Sequence, residues 1–405
     1  MRKGQLESTL LVLVTLGLVA FGLVMVYSAT SAPAALGGGD PGYYLKRQST
    51  YALVGLVLML GVTRIDFRVL RELSPLLLGT AAFLCLLVLV VGESVNGARR
   101  WLTFGPAVFQ PSELAKLAVA VWAAAYLSRR RPPRTLGELA RPLGLVVGAF
   151  GALVLVEPDL GTTITLVVML IGVLVVSGTP VRVIVTSNVL VGTLALGAIW
   201  IEPYRRERLL SFLHPWNDQL GAGFQSVQAM IGLGSGHIVG KGLGHGISKL
   251  NYLPEAHTDM IFAIVGEELG LVGVTAVLAA FAVFAFAGFS IALRSRDPFG
   301  KRLAAALTTL VCGQALVNLA AVLGLAPLTG IPLPFVSAGG SSLVVSLVVV
   351  GVLLNIGADD GTAAKAGIPD RDRGNRRPRA TGARRRRGAP GTRRERDVRR
   401  VARSR

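Results

Sequence analysis

Residues Met260–Leu293 read MIFAIVGEELGLVGVTAVLAAFAVFAFAGFSIAL. The 34-residue run contains no proline and only two charges, Glu267 and Glu268, both near its start. About 20 apolar residues cross a hydrocarbon core as a helix, so this run holds a full span with an entry turn before it. An ionisable group at membrane depth is costly, so at least one of the two glutamates must face a partner rather than lipid.

Nine further runs of the same kind lie in the chain. They are Thr9–Tyr27, Thr50–Ile65, Pro75–Gly92, Ser112–Ser128, Pro142–Val156, Leu160–Gly178, Val181–Ile201, Leu303–Leu325 and Ser341–Ile356. The 405 residues are 52% hydrophobic and only 16% charged, against about a quarter charged in soluble domains. The 49 glycines suit helices that pack closely in lipid. The fold class expected is therefore an all-α integral membrane protein of about ten transmembrane helices. One long extracytoplasmic loop, Glu202–Asp259, joins helices seven and eight. The first run is longer than the apolar region of a cleaved signal peptide, so it is expected to stay as the first span.

Charge placement orients the bundle. With the N-terminus inside, the inner loops carry Arg64, Arg68, Arg71, Arg129, Arg130, Arg131, Arg134, Arg141, Arg182, Arg294, Arg296, Lys301 and Arg302. The positive-inside rule then places both termini in the cytoplasm. Two domains are expected: a membrane domain over 1–357 and a tail over 358–405. The tail holds 17 Lys or Arg against 6 Asp or Glu, a net of +11 of the chain's +19. It has too little apolar surface to fold and is expected to be disordered and to lie against anionic lipid. Behind a membrane domain, nucleic acid is not an expected partner. The two cysteines, Cys85 and Cys312, sit in apolar runs as packing residues.

Chemistry concentrates in a few polar stretches. Glu255, His257 and Asp259 cluster at the mouth of the Met260–Leu293 span. They form either a catalytic group containing a general base or a polar collar that caps the helix. Glu113 and Lys116 are three apart, on one helical face. They read as a cavity-facing pair, or as a helix start with its dipole partner. Arg99 and Arg100 precede Trp101 and suit a lipid diphosphate, or anchor the loop at the interface. Glu157-Pro158-Asp159 breaks the chain between two spans and reads as a functional turn or a tight polar hairpin. No histidine has a zinc spacing, and there is no P-loop or dinucleotide fingerprint. An enzyme built this way needs a lipid-borne substrate that is already activated.

Six segments carry a resemblance. They are NGARRW (96–101), QPSELAK (110–116), EPDLGTT (157–163), FQSVQAMIGLGSGHIVGKGLG (224–244), KLNYLPEAHTDMIFAIVGEELG (249–270) and PLTGIPLPFVSAGGSS (327–342). In this order and spacing the chain resembles the SEDS family (shape, elongation, division and sporulation proteins) from about Leu10 to Gly357. Within it, YLPEAHTD and EELG lean towards the FtsW-like division branch over the RodA-like elongation branch. Met260 and Ala338 depart from that branch's usual Phe and Tyr.

The resemblance implies an inverting peptidoglycan glycosyltransferase that polymerises lipid II at the outer face of the bacterial cytoplasmic membrane in cell division. Its implied partners are a class B penicillin-binding protein and other division proteins. It maps the catalytic aspartate onto Asp259, the helix-four pair onto Glu113 and Lys116, and the loop arginine onto Arg100. Arg99, Lys241, Glu255, His257, Ser341 and Ser342 complete the candidate substrate-binding residues. No cofactor is required by the sequence, and a divalent cation, magnesium or manganese, is compatible with it. A lipid II flippase and a non-enzymatic division scaffold are the alternatives.

Overall fold

The computed structural model describes residues 5–95, 98–105, 107–201, 203–221, 223–250 and 253–366. Asn96 and Gly97 of the first block, Asn251 and Tyr252, and the tail from 367 onward lie outside the described residues. One compact unit runs Met1–Lys365.

Each of the ten apolar runs is helical. They lie in α1 (Gln5–Leu36), α2 (Tyr43–Val62), α3 (Arg68–Val91), α4 (Pro111–Ser128), α6 (Leu145–Val156) and α7 (Leu160–Ser177). The rest lie in α8 (Val181–Ile201), α11 (Ile261–Arg294), α12 (Pro298–Val322) and α13 (Gly340–Ala366). A short α5 (Leu136–Leu139) leads into α6 through a π-helical turn. Among the described residues, seven helical stretches are long and apolar enough by themselves to cross a membrane. This is a multi-pass membrane protein. Among the less lipophilic helices, α4 is central: thirteen of its residues are buried, many of them alanine, Glu113 and Lys116 included. A helix sheathed by its neighbours has no need of a lipophilic surface of its own.

Helix starts follow their local chemistry. Asp159 caps α7 by accepting from the Thr162 amide at 3.0 Å. Asp297 caps α12 through the Phe299 and Gly300 amides, with Pro298 in the first turn where its missing N–H costs nothing.

Three features were not expected from the sequence. The segment Glu93–Phe109 forms a small antiparallel sheet in the order β1 (Glu93–Val95), β2 (Ala98–Phe104), β3 (Ala107–Phe109). The long segment before α11 contains α9 (Pro203–Leu213), a 3-10 turn and α10 (Phe224–Ser235). Finally, α11 is broken at Gly270, whose φ of 63° and ψ of −157° are non-helical. The chain after α10 runs against this break: Lys241 and Gly242 donate amides to the Glu267 and Glu268 carbonyls at 3.0 Å each. Leu271 and Val272 donate in return to His237 and Ile238. A Cβ on Gly240 would lie 2.2 Å from the Glu268 carbonyl oxygen, so only glycine admits this approach.

Candidate active site

The Pro- and Gly-rich segment 326–339, leading into α13, is where the separate motifs meet. Its carbonyls accept from two helices. Gln48 of α2 donates to Ser337, and Gln314 of α12 to Pro332, both at 2.9 Å. Asn318 of α12 donates to Ile331 at 2.9 Å and also to the Asp259 carbonyl at 2.8 Å. The Ala338 amide donates to the His257 carbonyl at 2.9 Å.

The Asp259 segment is thus fixed through its backbone. Thr258 donates to Glu255 Oε2 at 2.7 Å and lies 3.3 Å from Asp259 Oδ1. The Asp259 carboxylate is half-buried, with Oδ2 facing Gly330 at 4.0 Å from where a Cβ would stand. The His257 ring meets Tyr44 of α2 edge-on, centroids 4.5 Å apart. Burial holds the His257 imidazolium pKa below its ordinary value, with Glu255 pulling the other way. The imidazole is therefore neutral at pH 7. The structure brings Glu255, His257 and Asp259 together at one mouth, as the sequence suggested.

The helix-four pair sits elsewhere. Lys116 Nζ lies 2.9 Å from Glu113 Oε1 and 2.6 Å from Gln314 Oε1, with lysine and glutamate 2% and 3% exposed. Gln314 also reaches Ser342 Oγ at 3.3 Å. The pair closes a network between α4, α12 and the start of α13, instead of opening onto solvent. Ser341 accepts from the Gln110 amide and donates to the Val108 carbonyl, both at 3.1 Å, docking α13 on β3.

On β2, Arg99 is exposed and Arg100 is half-buried. Arg100 donates from Nε to the Glu157 carbonyl at 2.8 Å and from Nη2 to the Pro158 carbonyl, clamping the sheet to the α6–α7 hairpin. In that hairpin Asp159 is a cap and accepts from Gln110 at 3.3 Å. Glu157 is fully buried, and among the described residues the one group beside its carboxylate that can donate is the weakly donating Cys85 thiol. Burial, with Asp159 adding to it, pushes its pKa up to about 8. Lys241 joins Glu267 at 2.8 Å and Lys249 joins Glu268 at 2.7 Å, beside the break in α11. Glu267 is eight residues beyond Asp259, roughly 12 Å along a helix. Both glutamates thus have partners, as their depth requires, and Lys241 stands apart from the Asp259 mouth.

Sequence reasoning missed Gln314 and Asn318. Their signal was present: two amides four apart in an apolar run share a face and call for partners. Among the described residues, no group of three or more His, Cys, Asp or Glu is placed to hold a metal ion.

Comparison with known proteins decides the family. The family of cell cycle proteins that joins FtsW, RodA and SpoVE matches residues 8–361. The chain belongs to this family. It is 41% identical over 350 residues to the probable peptidoglycan glycosyltransferase FtsW of Geobacter sulfurreducens (strain DL-1 / KN400), covering 85% of this chain and 94% of that one. It is 39% identical over 351 residues to stage V sporulation protein E of Bacillus subtilis (strain 168), covering 86% and 96%. Among solved structures it resembles a chain of a peptidoglycan synthase complex that coordinates polymerization and crosslinking. That match has a TM-score of 0.73 and 31% identity, covering 86% of this chain and 97% of the other. Every candidate residue falls inside the span that the family covers.

Proposed function

We propose that this member of the family is a peptidoglycan glycosyltransferase that polymerises lipid II at the outer face of the bacterial cytoplasmic membrane, with both termini in the cytoplasm. The observation that carries the reading is the Asp259 mouth. There, a carboxylate is presented by a segment whose own carbonyls are tied to Asn318 and Ala338.

Asp259 acts as general base. It takes the proton from the sugar hydroxyl of the acceptor as that oxygen attacks the anomeric carbon of the donor. The bond to the diphosphate breaks with its electron pair, and direct displacement inverts the anomeric centre. The departing diphosphate needs cationic donors. Arg99 is the exposed candidate and Arg100 the half-buried one. Lys116 is matched by Glu113 and closed from solvent, so its role is to hold α4 against α12 beneath the mouth. A magnesium or manganese ion, if bound, would supply further positive charge against the departing diphosphate. A class B penicillin-binding protein and other division proteins are the proposed partners.

One observation favours the flippase alternative: a broken helix with buried charges, as in α11, is a device of transporters. Purified protein with its penicillin-binding partner and lipid II separates the two. Glycan polymer on a gel supports the transferase. Absence of polymer, with lipid II translocated in vesicles, would make the chain a transporter.

A further inference from the structure

The far end of α4 holds a second polar feature that the transferase reading does not use. α4 starts beside the candidate site and runs 18 residues, about 27 Å, so its C-terminal end lies at the opposite membrane face. There, α3 and α4 enclose a cavity of about 220 Å³. α3 contributes Ser74 and Pro75, and α4 contributes Trp122, Tyr126, Arg129 and Arg130. The aromatic rings are stacked, with centroids 5.5 Å apart. Arg130 lies over the Tyr126 ring at 4.9 Å and donates to its hydroxyl at 3.1 Å. Its guanidinium is thereby held at the cavity rim.

Arg71 stands one turn before Ser74 on α3, and its carbonyl accepts from the Ser74 hydroxyl at 2.8 Å. Its Nε is buried and has no hydrogen-bond partner. Among the described residues, Arg71, Arg129 and Arg130 make no ion pair. Two arginines, Arg129 and Arg130, line the cleft without a carboxylate to match them, and Arg71, one turn from its Ser74 wall, carries an orphaned buried donor, which is costly without an acceptor. Next to them on α3, Leu73 and Leu76 are 42% and 66% exposed, turned to the bilayer.

We propose that this cleft binds the headgroup phosphate of an anionic phospholipid from the leaflet opposite the candidate site. Arg71, Arg129 and Arg130 hold the phosphate, Ser74 lies within the same cleft, and Leu73 and Leu76 lie beside the acyl chains. Charge complementarity and the continuity of a polar cleft with an apolar helix face argue for a membrane lipid. Basic pockets between transmembrane helices recognise anionic headgroups in this way.

The test is native mass spectrometry of the full chain released from bilayers of equal phosphatidylglycerol and phosphatidylcholine. Wild type is compared with Arg129→Gln/Arg130→Gln and with Arg134→Gln/Arg182→Gln, which removes two exposed charges at the same face outside the cleft. The basic tail is common to all three and cancels. Wild type and the Arg134/Arg182 control should retain phosphatidylglycerol over phosphatidylcholine. The cleft variant should lose at least about tenfold of that preference, as expected for losing a charge-assisted hydrogen bond to phosphate, while keeping the same unfolding temperature. Adding Arg71→Gln should remove the remainder. Equal retention of both lipids by wild type, or equal losses in the cleft variant and the control, would overturn the proposal.

Discussion

Two carboxylate sites touch the same helix, α12, through amides four residues apart, and they are built in opposite ways. At Glu113 the partners are side chains: Lys116 neutralises the acid and Gln314 caps the amine, all buried. At Asp259 the neighbours are bonded through the backbone, and the carboxylate stays half-buried at a mouth. A buried pair matched within itself has little left to offer a ligand, and breaking it costs stability. A carboxylate placed by its backbone can change its bonding during a reaction without disturbing the fold. The two sites therefore separate architecture from chemistry.

The largest expected effect is at the mouth. Asp259→Asn keeps the size and the backbone contacts but removes the proton acceptor. Polymerisation should fall about 100- to 10,000-fold, with folding and lipid II binding retained. An unfolding temperature well below wild type would erase the contrast between the two sites.

Next is the closed pair. Lys116→Met leaves Glu113 buried without its cation and should cost about 3–5 kcal/mol of stability. Glu113→Gln/Lys116→Met should recover most of it. Thermal unfolding in detergent checks both. A Lys116→Met protein that unfolds like wild type yet makes no polymer would place Lys116 in the chemistry beside Asp259.

Glu157 extends the comparison to a third carboxylate, buried without a matching cation, with the Cys85 thiol beside it. Its folded pKa of about 8 lies above the ordinary value of 4.5. The folded state therefore binds the extra proton, and stability should decline as pH rises from about 4.5 to 8. Glu157→Gln should flatten that decline; an unchanged slope would mean that Glu157 is ionised in the folded protein.

The smallest effect is expected at Asn318. Asn318→Leu strips a donor from the Asp259 and Ile331 carbonyls, at about 1–3 kcal/mol. The polymerisation rate should fall more than stability does, since the segment that aims Asp259 is loosened. Loss of stability alone would make Asn318 a packing residue.

The membrane spans were legible in the sequence because apolar length is a local property. So was the Glu113–Lys116 pair, three residues apart on a helix. What it joins was not: Lys116 and Gln314 are 198 positions apart, and nothing local links them. The break in α11 was hidden for a related reason. Gly270 in an apolar run reads as a packing glycine until Gly240, thirty positions earlier, is seen against it. The sheet escaped notice because two of its strands have only three residues, too short for an alternating pattern. Glu255, His257 and Asp259 were found together because they are neighbours in the chain. Their attachment to the segment 326–339 appears only in the fold.

The claim that Asp259 supplies the proton acceptor is tested most directly by restoring one. Asp259→Ala should be nearly inactive, and added acetate or formate should raise its rate of lipid II polymerisation at least about tenfold, in a saturable way. Chloride at the same ionic strength should do nothing, and wild type should be unaffected by either carboxylate. An Asp259→Ala protein that polymerises lipid II at the wild-type rate without any added carboxylate would contradict the account.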